Sequence, residues 1–383
     1  MTGDLQAMVA LAQLSGVGPR RLWAASRSGP AQVWRDLVAR RTPAGVPAPR
    51  SLCERWWGEV ESVSVENVFA DHTAGDLFVS AAGLVGAPVL DGAGPEHPAH
   101  EPDDPYVPPL LFWRAWSLDR FDALHRRPRV AIVGTRRASR YGLDVAHELG
   151  GALAEAGVVV VSGLALGIDA AAHRGAIAAN GAPPIAIVAS GHNVVYPRRN
   201  SELWEAVARA GAIGTTAPLG TAPEAWRFPA RNRVIVGLSD VVVVVESHHA
   251  GGSLITADYA GARGVPVLAV PGPIRSATSL GTNRLLGDGC GPCLGVDDVL
   301  VALGLQGADV RAAQPETGEA DRSSDDRAVL DALGWESVTL DEVVTRSGRP
   351  FAVVASSLAS LESEGLVAAT AGRFERCAGG SDR

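Results

Sequence analysis

The sequence predicts an α/β protein built on a doubly wound parallel sheet, with a helical module ahead of it and a winged helix behind it. Three observations carry this expectation. Between about residues 110 and 304, short β-branched runs alternate with longer helical patterns through five units, as strand–crossover–strand folding requires. Ahead of that segment the pattern reads helix, turn, helix; behind it come three short helical runs and two that suit a hairpin. A chain of 383 residues is also too long for one small core and suits two or three domains.

Leu5, Met8, Val9, Leu11 and Ala12 recur near helical spacing, Ser15-Gly16-Val17-Gly18-Pro19 breaks the run, and Arg20–Ala25 and Ala31–Val38 resume it. A Pro-rich hinge at Thr42–Pro49 and a less patterned stretch complete a helical module over 1–86. Residues 87–109 carry Pro88, Pro95, Pro98, Pro102, Pro105, Pro108 and Pro109 among several acids, which reads as an extended linker. In the core, 110–304, the predicted strands are Val130–Val133, Val158–Val161, Ile185–Ala189, Val241–Val245 and Val265–Val270. Most are apolar without alternation, as strands covered on both faces are. Leu143–Glu155, Ile168–Ala178, Glu202–Ala210 and Leu254–Arg263 suit the crossover helices. A Gly-, Ala- and charge-rich linker at 305–324 leads to 325–376. There Ala328–Leu333, Leu340–Val344 and Val353–Leu361 read as helices, and Leu366–Ala369 with Arg373–Glu375 as a small wing.

Composition narrows the chemistry. All 34 basic residues are arginine, which removes Schiff-base and pyridoxal phosphate catalysis and the phosphate-binding lysine of Walker motifs. The formal charge of −8 excludes a globally basic coat, so any anion site must be a local arginine cluster. Four cysteines make no disulfide framework, and Cys290-Gly-Pro-Cys293 reads as a turn carrying two thiols because no second pair completes a zinc site. Met1–Ala10 has no basic leader region, and apolar runs such as Val241–Val245 fall far short of the ~20 residues that span a bilayer. The expectation is a soluble, cytoplasmic protein.

Four strand-to-helix turns carry the candidate site. Gly134-Thr135-Arg136-Arg137 follows the first core strand, within a stretch that also holds Arg126, Arg127, Arg129 and Arg140. Glycine lets the backbone approach closely, threonine offers a hydroxyl, and arginine forks bind phosphate oxygens in pairs. Ser162 and Gly163 open the second turn, where Ser162 is suited to donate to phosphate. Asp169 and His173, one helical turn apart, read as a hydrogen-bonded structural pair. Phe228, Arg231, Asn232 and Arg233 open a helix near Trp226 and combine charge with stacking faces, as single-stranded nucleic-acid grooves do. Gly252, Ser253 and Thr256 follow the valine strand and Glu246 as a further phosphate-sized turn. A dinucleotide site would show Gly-x-Gly-x-x-Gly at the first turn; here Gly134 is followed by two arginines. Trp56, Trp57 and Trp204 read as packing residues.

Together these blocks resemble the DNA-processing protein A family, also called DprA or Smf. The matching strings are Val130–Arg136, Ser162–Asp169 with His173, Tyr196-Pro197 with Asn200, Phe228–Ser239, Gly252–Ala257 and Pro271-Gly272, in the family's order. The resemblance implies a Rossmann-like core that binds single-stranded DNA, forms a homodimer and helps load the RecA recombinase in DNA uptake and recombination. It implies no catalysis, cofactor or metal. It carries phosphate binding over to Gly134, Thr135 and Arg136, and to the second, third and fourth turns. It likens Leu14–Pro19 to a helix-hairpin-helix or SAM-like region and 325–376 to the family's winged helix. Leu166 stands where many relatives have lysine, Asn193 replaces an aspartate, and Gly214–Pro218 lacks the usual Ser-Glu. A rival reading is a nucleotide-hydrolysing enzyme related to lysine-decarboxylase-like proteins, although the Pro before the glycine pair and the catalytic Glu of that group are missing near Gly251. Another is an interaction scaffold, because the winged helix lacks a basic recognition helix.

Overall fold

The structure, a computed structural model, describes residues 2–81, 108–115, 127–305, 323–333, 338–363, 366–370 and 372–376. Most of both expected linkers, 87–109 and 305–324, lies outside the described residues, as do Arg126 and Cys377. No helix among the described residues is long and apolar enough to cross a membrane.

Five helices open the chain: α1 (Thr2–Leu11), α2 (Pro19–Ser28), α3 (Pro30–Val38), α4 (Arg50–Glu59) and α5 (Val65–His72). Prolines start α2 and α3, where their fixed φ suits the first helical position and no N–H is lost. Leu5, Met8, Leu37, Cys53 and Trp56 form the centre of this module. The Trp56 indole N–H donates to the Ser15 carbonyl at 2.8 Å and closes the first turn. The stretch to residue 86 is not wholly helical. β1 (Leu77–Ala81) pairs antiparallel with β2 (Leu110–Ala115), and β2 pairs antiparallel with β6 (Ala212–Thr215). Leu110 and Phe112 face the helical module while Leu111 and Trp113 face the central core, so β2 is shared by two cores.

The rest of the sheet is parallel: β3 (Arg129–Val133), β4 (Val159–Ser162), β5 (Ile185–Val188), β6, β7 (Val241–Val244), β8 (Val267–Ala269) and β9 (Gly291–Pro292). The spatial order is β1-β2-β6-β5-β4-β3-β7-β8-β9, a doubly wound, Rossmann-like arrangement as expected. The helices between are α6 (Arg140–Glu155), α7 (Ile168–Ala178), α8 (Ser201–Ala210), α9 (Arg227–Gly237), α10 (Gly252–Arg263), α11 (Leu280–Gly287) and α12 (Val296–Ala302). Alternate strand residues serve opposite layers. Ala131, Val133, Val242 and Val244 pack with Val234, Ile235 and Ala260 of α9 and α10. Val130, Ile132, Val241 and Val243 pack with Leu149 and Leu153 of α6, Ala172 of α7 and Val299 of α12. This two-sided burial explains why the strands read as unbroken valine runs.

Cys290 and Cys293 flank β9, whose extended backbone turns side chains three apart to opposite faces. Both thiols are free, and the segment that the sequence reads as a turn is a short strand. Pro292 lies within this outermost strand.

Beyond the core, α13 (Ser324–Leu333), α14 (Leu340–Ser347) and α15 (Phe351–Ser363) pack around Leu330, Val343, Leu358 and Leu361. The wing is three-stranded, ordered β10 (Val338–Thr339), β12 (Arg373–Arg376), β11 (Val367–Thr370). Thr339 and Glu342 form a capping box that starts α14, with the Thr339 N–H donating to Glu342 Oε2 at 2.6 Å.

Helices α6 and α7 approach backbone to backbone. A Cβ at Gly150 would overlap the Ala172 carbonyl, and one at Gly175 the His147 carbonyl. Gly→Ala within a helix ordinarily stabilises by up to ~1 kcal/mol. Gly175→Ala is expected to reverse that sign and cost about 2 kcal/mol in urea unfolding, because overpacking forces the helices apart.

Candidate nucleic-acid interface

The chain winds from β3 out to β4, β5 and β6, then returns to β7 on the other side of β3. This reversal opens a crevice beyond the carboxyl ends of β3 and β7, the place where open α/β sheets hold ligands. Gly134–Arg137 leave β3 and Glu246–Gly251 leave β7, so two predicted turns form its walls. Gly134 is required there: a Cβ would meet the Ile168 side chain and come within 2.9 Å of the Glu246 carbonyl oxygen. The same carbonyl accepts the Thr135 N–H at 2.8 Å.

Glu246 is only 2% exposed. Its carboxylate accepts the Ser139 N–H at 2.8 Å, the Ser139 hydroxyl at 2.6 Å and the Thr278 hydroxyl at 2.8 Å. A Cβ at Gly142 would overlap it. The amino end of α6 is therefore occupied by the protein's own anion, in the position where a dinucleotide pyrophosphate would sit. An external anion must use the neighbouring helix ends instead.

Those ends converge. An open trough of about 1130 Å³ is lined by Gly134, Thr135, Arg136 and Arg137 from the first turn and by Phe228, Arg231 and Asn232 from the third. Gly252, Ser253 and Thr256 of the fourth complete it. At α10 no side chain caps the helix. The Ser253 hydroxyl donates to Ser247 Oγ at 2.9 Å, and the buried Thr256 hydroxyl has no partner. Arg136 and Arg137 are exposed. The Arg136 guanidinium lies 4.8 Å from the Phe228 ring centre, and the Phe228 and Tyr196 rings form a tilted pair 5.7 Å apart. Gly163 faces a smaller adjoining cavity, which shares Arg136, Ala165, Phe228 and Arg231 with the trough.

Three of the expected roles change. Ser162 lines neither cavity; it is fully buried and its hydroxyl donates to the Ile132 carbonyl at 2.6 Å, because parallel strands leave that acceptor beside it. Arg233 also lines neither, projecting instead over the Tyr259 ring at 4.8 Å. Arg231 reaches both cavities but is no free phosphate fork. Its Nη1 donates to the carbonyls of Gly163 at 2.6 Å and Ile187 at 2.8 Å, tying the ends of β4 and β5 to α9. A Cβ at Gly163 would overlap its guanidinium. Burial pulls the Arg231 pKa down, and Asp169 opposes this.

Asp169 and His173 are not hydrogen-bonded to each other. Asp169 Oδ2 accepts the N–H groups of Gly163 at 3.2 Å and Ala165 at 3.4 Å, shaping the turn that faces Arg231. Burial pushes its pKa up while Arg231 draws it back. The His173 ring lies near the Ser162 backbone without a hydrogen bond of good geometry, and its burial lowers the pKa to about 3.

Sequence reasoning placed Trp226, 60% exposed, beside the third turn as a stacking face but left Tyr196, 41% exposed, out of the candidate site. Tyr196 packs beside Phe228 of the trough as a further ring of the kind bases stack on, and Arg227 lies over Trp226 at 4.3 Å. Their signal was present in the Tyr-Pro and Trp-Arg-Phe strings. Asn193, the departure from aspartate, accepts the Gly220 N–H at 2.6 Å and holds two neighbouring loops together.

Two predictions follow from the buried groups. Glu246→Ala should cost about 3 kcal/mol or more in denaturant unfolding, since it strands several buried donors. His173 at about 3 and His192 at about 4, both lowered mainly by burial, refuse protons that the unfolded chain takes up near 6.5. Stability should therefore be full above that value and fall on acidification, by about 2 kcal/mol per histidine between about pH 7.5 and 5. Urea midpoints across that range test the slope, and a flat profile would refute neutral burial.

Comparison with known proteins agrees with this arrangement. The family described as DNA recombination-mediator protein A matches residues 95–304, and the DprA winged helix domain matches 311–373. A Mycobacterium tuberculosis DNA processing protein DprA is 39% identical over 269 residues, covering 70% of this chain and 68% of its own. Escherichia coli Smf is 34% identical over 294 residues, covering 74% and 78%. The X-ray structure of DNA processing protein A from Streptococcus pneumoniae superposes with a TM-score of 0.62 at 27% identity, over 77% of this chain and 97% of that one. The match spans the crevice-forming strands and the C-terminal domain alike, and the chain belongs to the DNA recombination-mediator protein A family.

Proposed function

We propose that this chain is a DNA-processing protein whose crevice beyond β3 and β7 binds single-stranded DNA. The observation that carries the reading is the trough itself. Two exposed arginines, an uncapped helix end and the Phe228 ring meet on one surface of a chain that is otherwise acidic. Phosphates suit the guanidinium and amide donors, and unpaired bases suit the aromatic faces. A duplex hides its base faces and gains nothing from Phe228, Tyr196 or Trp226.

The reading is of a binding protein, not a hydrolase. Asp169, the acid that lines the trough, accepts from the Gly163 and Ala165 N–H groups, and Glu246 behind it is held by Ser139 and Thr278. Release of free base from a nucleoside monophosphate would favour the hydrolytic rival. The family resemblance extends the proposal to a homodimer that hands strands to RecA in the cytoplasm during DNA uptake and recombination. Ser190 and Tyr196, on loops that also wall the smaller cavity, extend the surface available to bases.

Fluorescence anisotropy with oligothymidylate and a matched duplex tests this. Affinity for the single strand should exceed that for duplex and fall steadily with salt as counterions are released. Arg136→Ala should weaken strand binding by about 1–3 kcal/mol, the scale of hydrogen bonds to a charged group. A flat salt dependence, or undiminished binding by the variant, would remove the trough from the function.

A further inference from the structure

The helical module and the core meet at His72, the last residue of α5 and only 5% exposed. Its Nδ1–H donates to the Val68 carbonyl at 2.7 Å. Nε2 is therefore the acceptor of a neutral ring, and it takes the Leu219 N–H at 3.0 Å and the Gln13 amide at 3.4 Å. Gln13 and His72 belong to the module, whereas Leu219 lies on the core loop between β6 and α9. The Phe112 ring of β2 packs against the imidazole, with ring centres 4.8 Å apart.

A proton on Nε2 turns that acceptor into a donor and sets it against the donors already facing it. Gln13 can turn its amide oxygen toward the ring, but the main-chain N–H of Leu219 cannot reverse. The charged groups nearby give such a proton little help. Asp71 on α5 favours it, the buried His192 after β5 lies close enough to repel it once charged, and Arg114 on β2 is paired with Asp76 and Glu205. Burial outweighs Asp71 and holds the His72 pKa below its ordinary 6.5. From the other side, Asn193 accepts the Gly220 N–H at 2.6 Å and the Thr221 carbonyl accepts the Gly191 N–H at 3.0 Å. Beyond these ties the chain runs through Pro223 and the exposed Trp226 into α9.

We propose that His72 is a proton-operated latch: neutral, it fastens the helical module to the loop that runs into α9, and protonation at Nε2 frees that loop. In the freed loop the charged ring and the Leu219 N–H both reach water, which relieves the clash of donors. The latch is fully closed above about pH 6.5 and weakens as the pH falls, the direction that a lowered folded-state pKa dictates. The inference stands apart from strand binding, since no nucleic-acid contact enters it.

Amide hydrogen exchange on the full chain between about pH 7.5 and 5, corrected for the intrinsic rate at each pH, tests the latch. Peptides spanning 216–226 should be less protected than those spanning 241–244 of β7, and lose about tenfold in protection per pH unit below about 6.5. His72→Gln offers an oxygen near the place of Nε2 without a titrating ring. Protection of 216–226 should then stay constant with pH, while 241–244 still respond through His173 and His192. His72→Phe removes the acceptor and should expose the loop at every pH. Should these variants fail to fold, the parent decides, because its Leu219 amide resonance must move in step with the His72 ring as the pH falls. Equal protection of 216–226 and 241–244 in the parent would overturn the proposal. An undiminished pH slope in His72→Gln, or a ring that titrates without freeing Leu219, would do the same.

Discussion

A single buried carboxylate organises the ligand face of this protein. Glu246, on the loop after β7, ties itself to the loop after β3 by accepting from Ser139 and to the loop after β8 by accepting from Thr278. Its main-chain carbonyl fixes Thr135 as well. By filling the amino end of α6 with an internal negative charge, it closes the position that nucleotide-binding relatives of this sheet topology use. In the proposed reading, anion recognition moves to the ends of α9 and α10, where an open trough stands in place of a phosphate-binding loop. A trough can follow a polymer; a closed loop cannot.

Arg231 performs the complementary task. Its side chain is buried at the ends of β4 and β5, and one guanidinium nitrogen donates to the carbonyls of both Gly163 and Ile187, fastening them to α9. Asp169 offsets the buried charge of Arg231, and Arg136 and Arg137 are the exposed cations of the trough, the ones a strand would meet first in the proposed function.

Much of the core was legible in the sequence because buried parallel strands leave continuous valine and isoleucine runs. β6 escaped notice: Ala212–Thr215 contains alanine, glycine and threonine, and its place is fixed by pairing with β2 and β5 more than by its own propensity. β1 and β2 were missed because Leu110–Ala115 is buried on both faces by different partners and shows no alternation. The convergence of the turns was readable from strand-to-helix order. The individual roles were not, since the fates of Ser162 and Arg231 depend on acceptors contributed by Ile132 and Ile187, far away in the chain. Tyr196 required knowledge of exposure, which periodicity does not supply.

The far margin of the sheet is finished by β9, two residues long and half proline. Without an N–H at Pro292, that rim offers little main-chain template for a further strand, from another copy or from a misfolded neighbour. Assembly on that flank must therefore proceed through side chains such as Leu294 and Val301, which stand 77% and 58% exposed. Contacts of that kind are adjustable by single substitutions and reversible. Growth by strand addition would be far harder to undo.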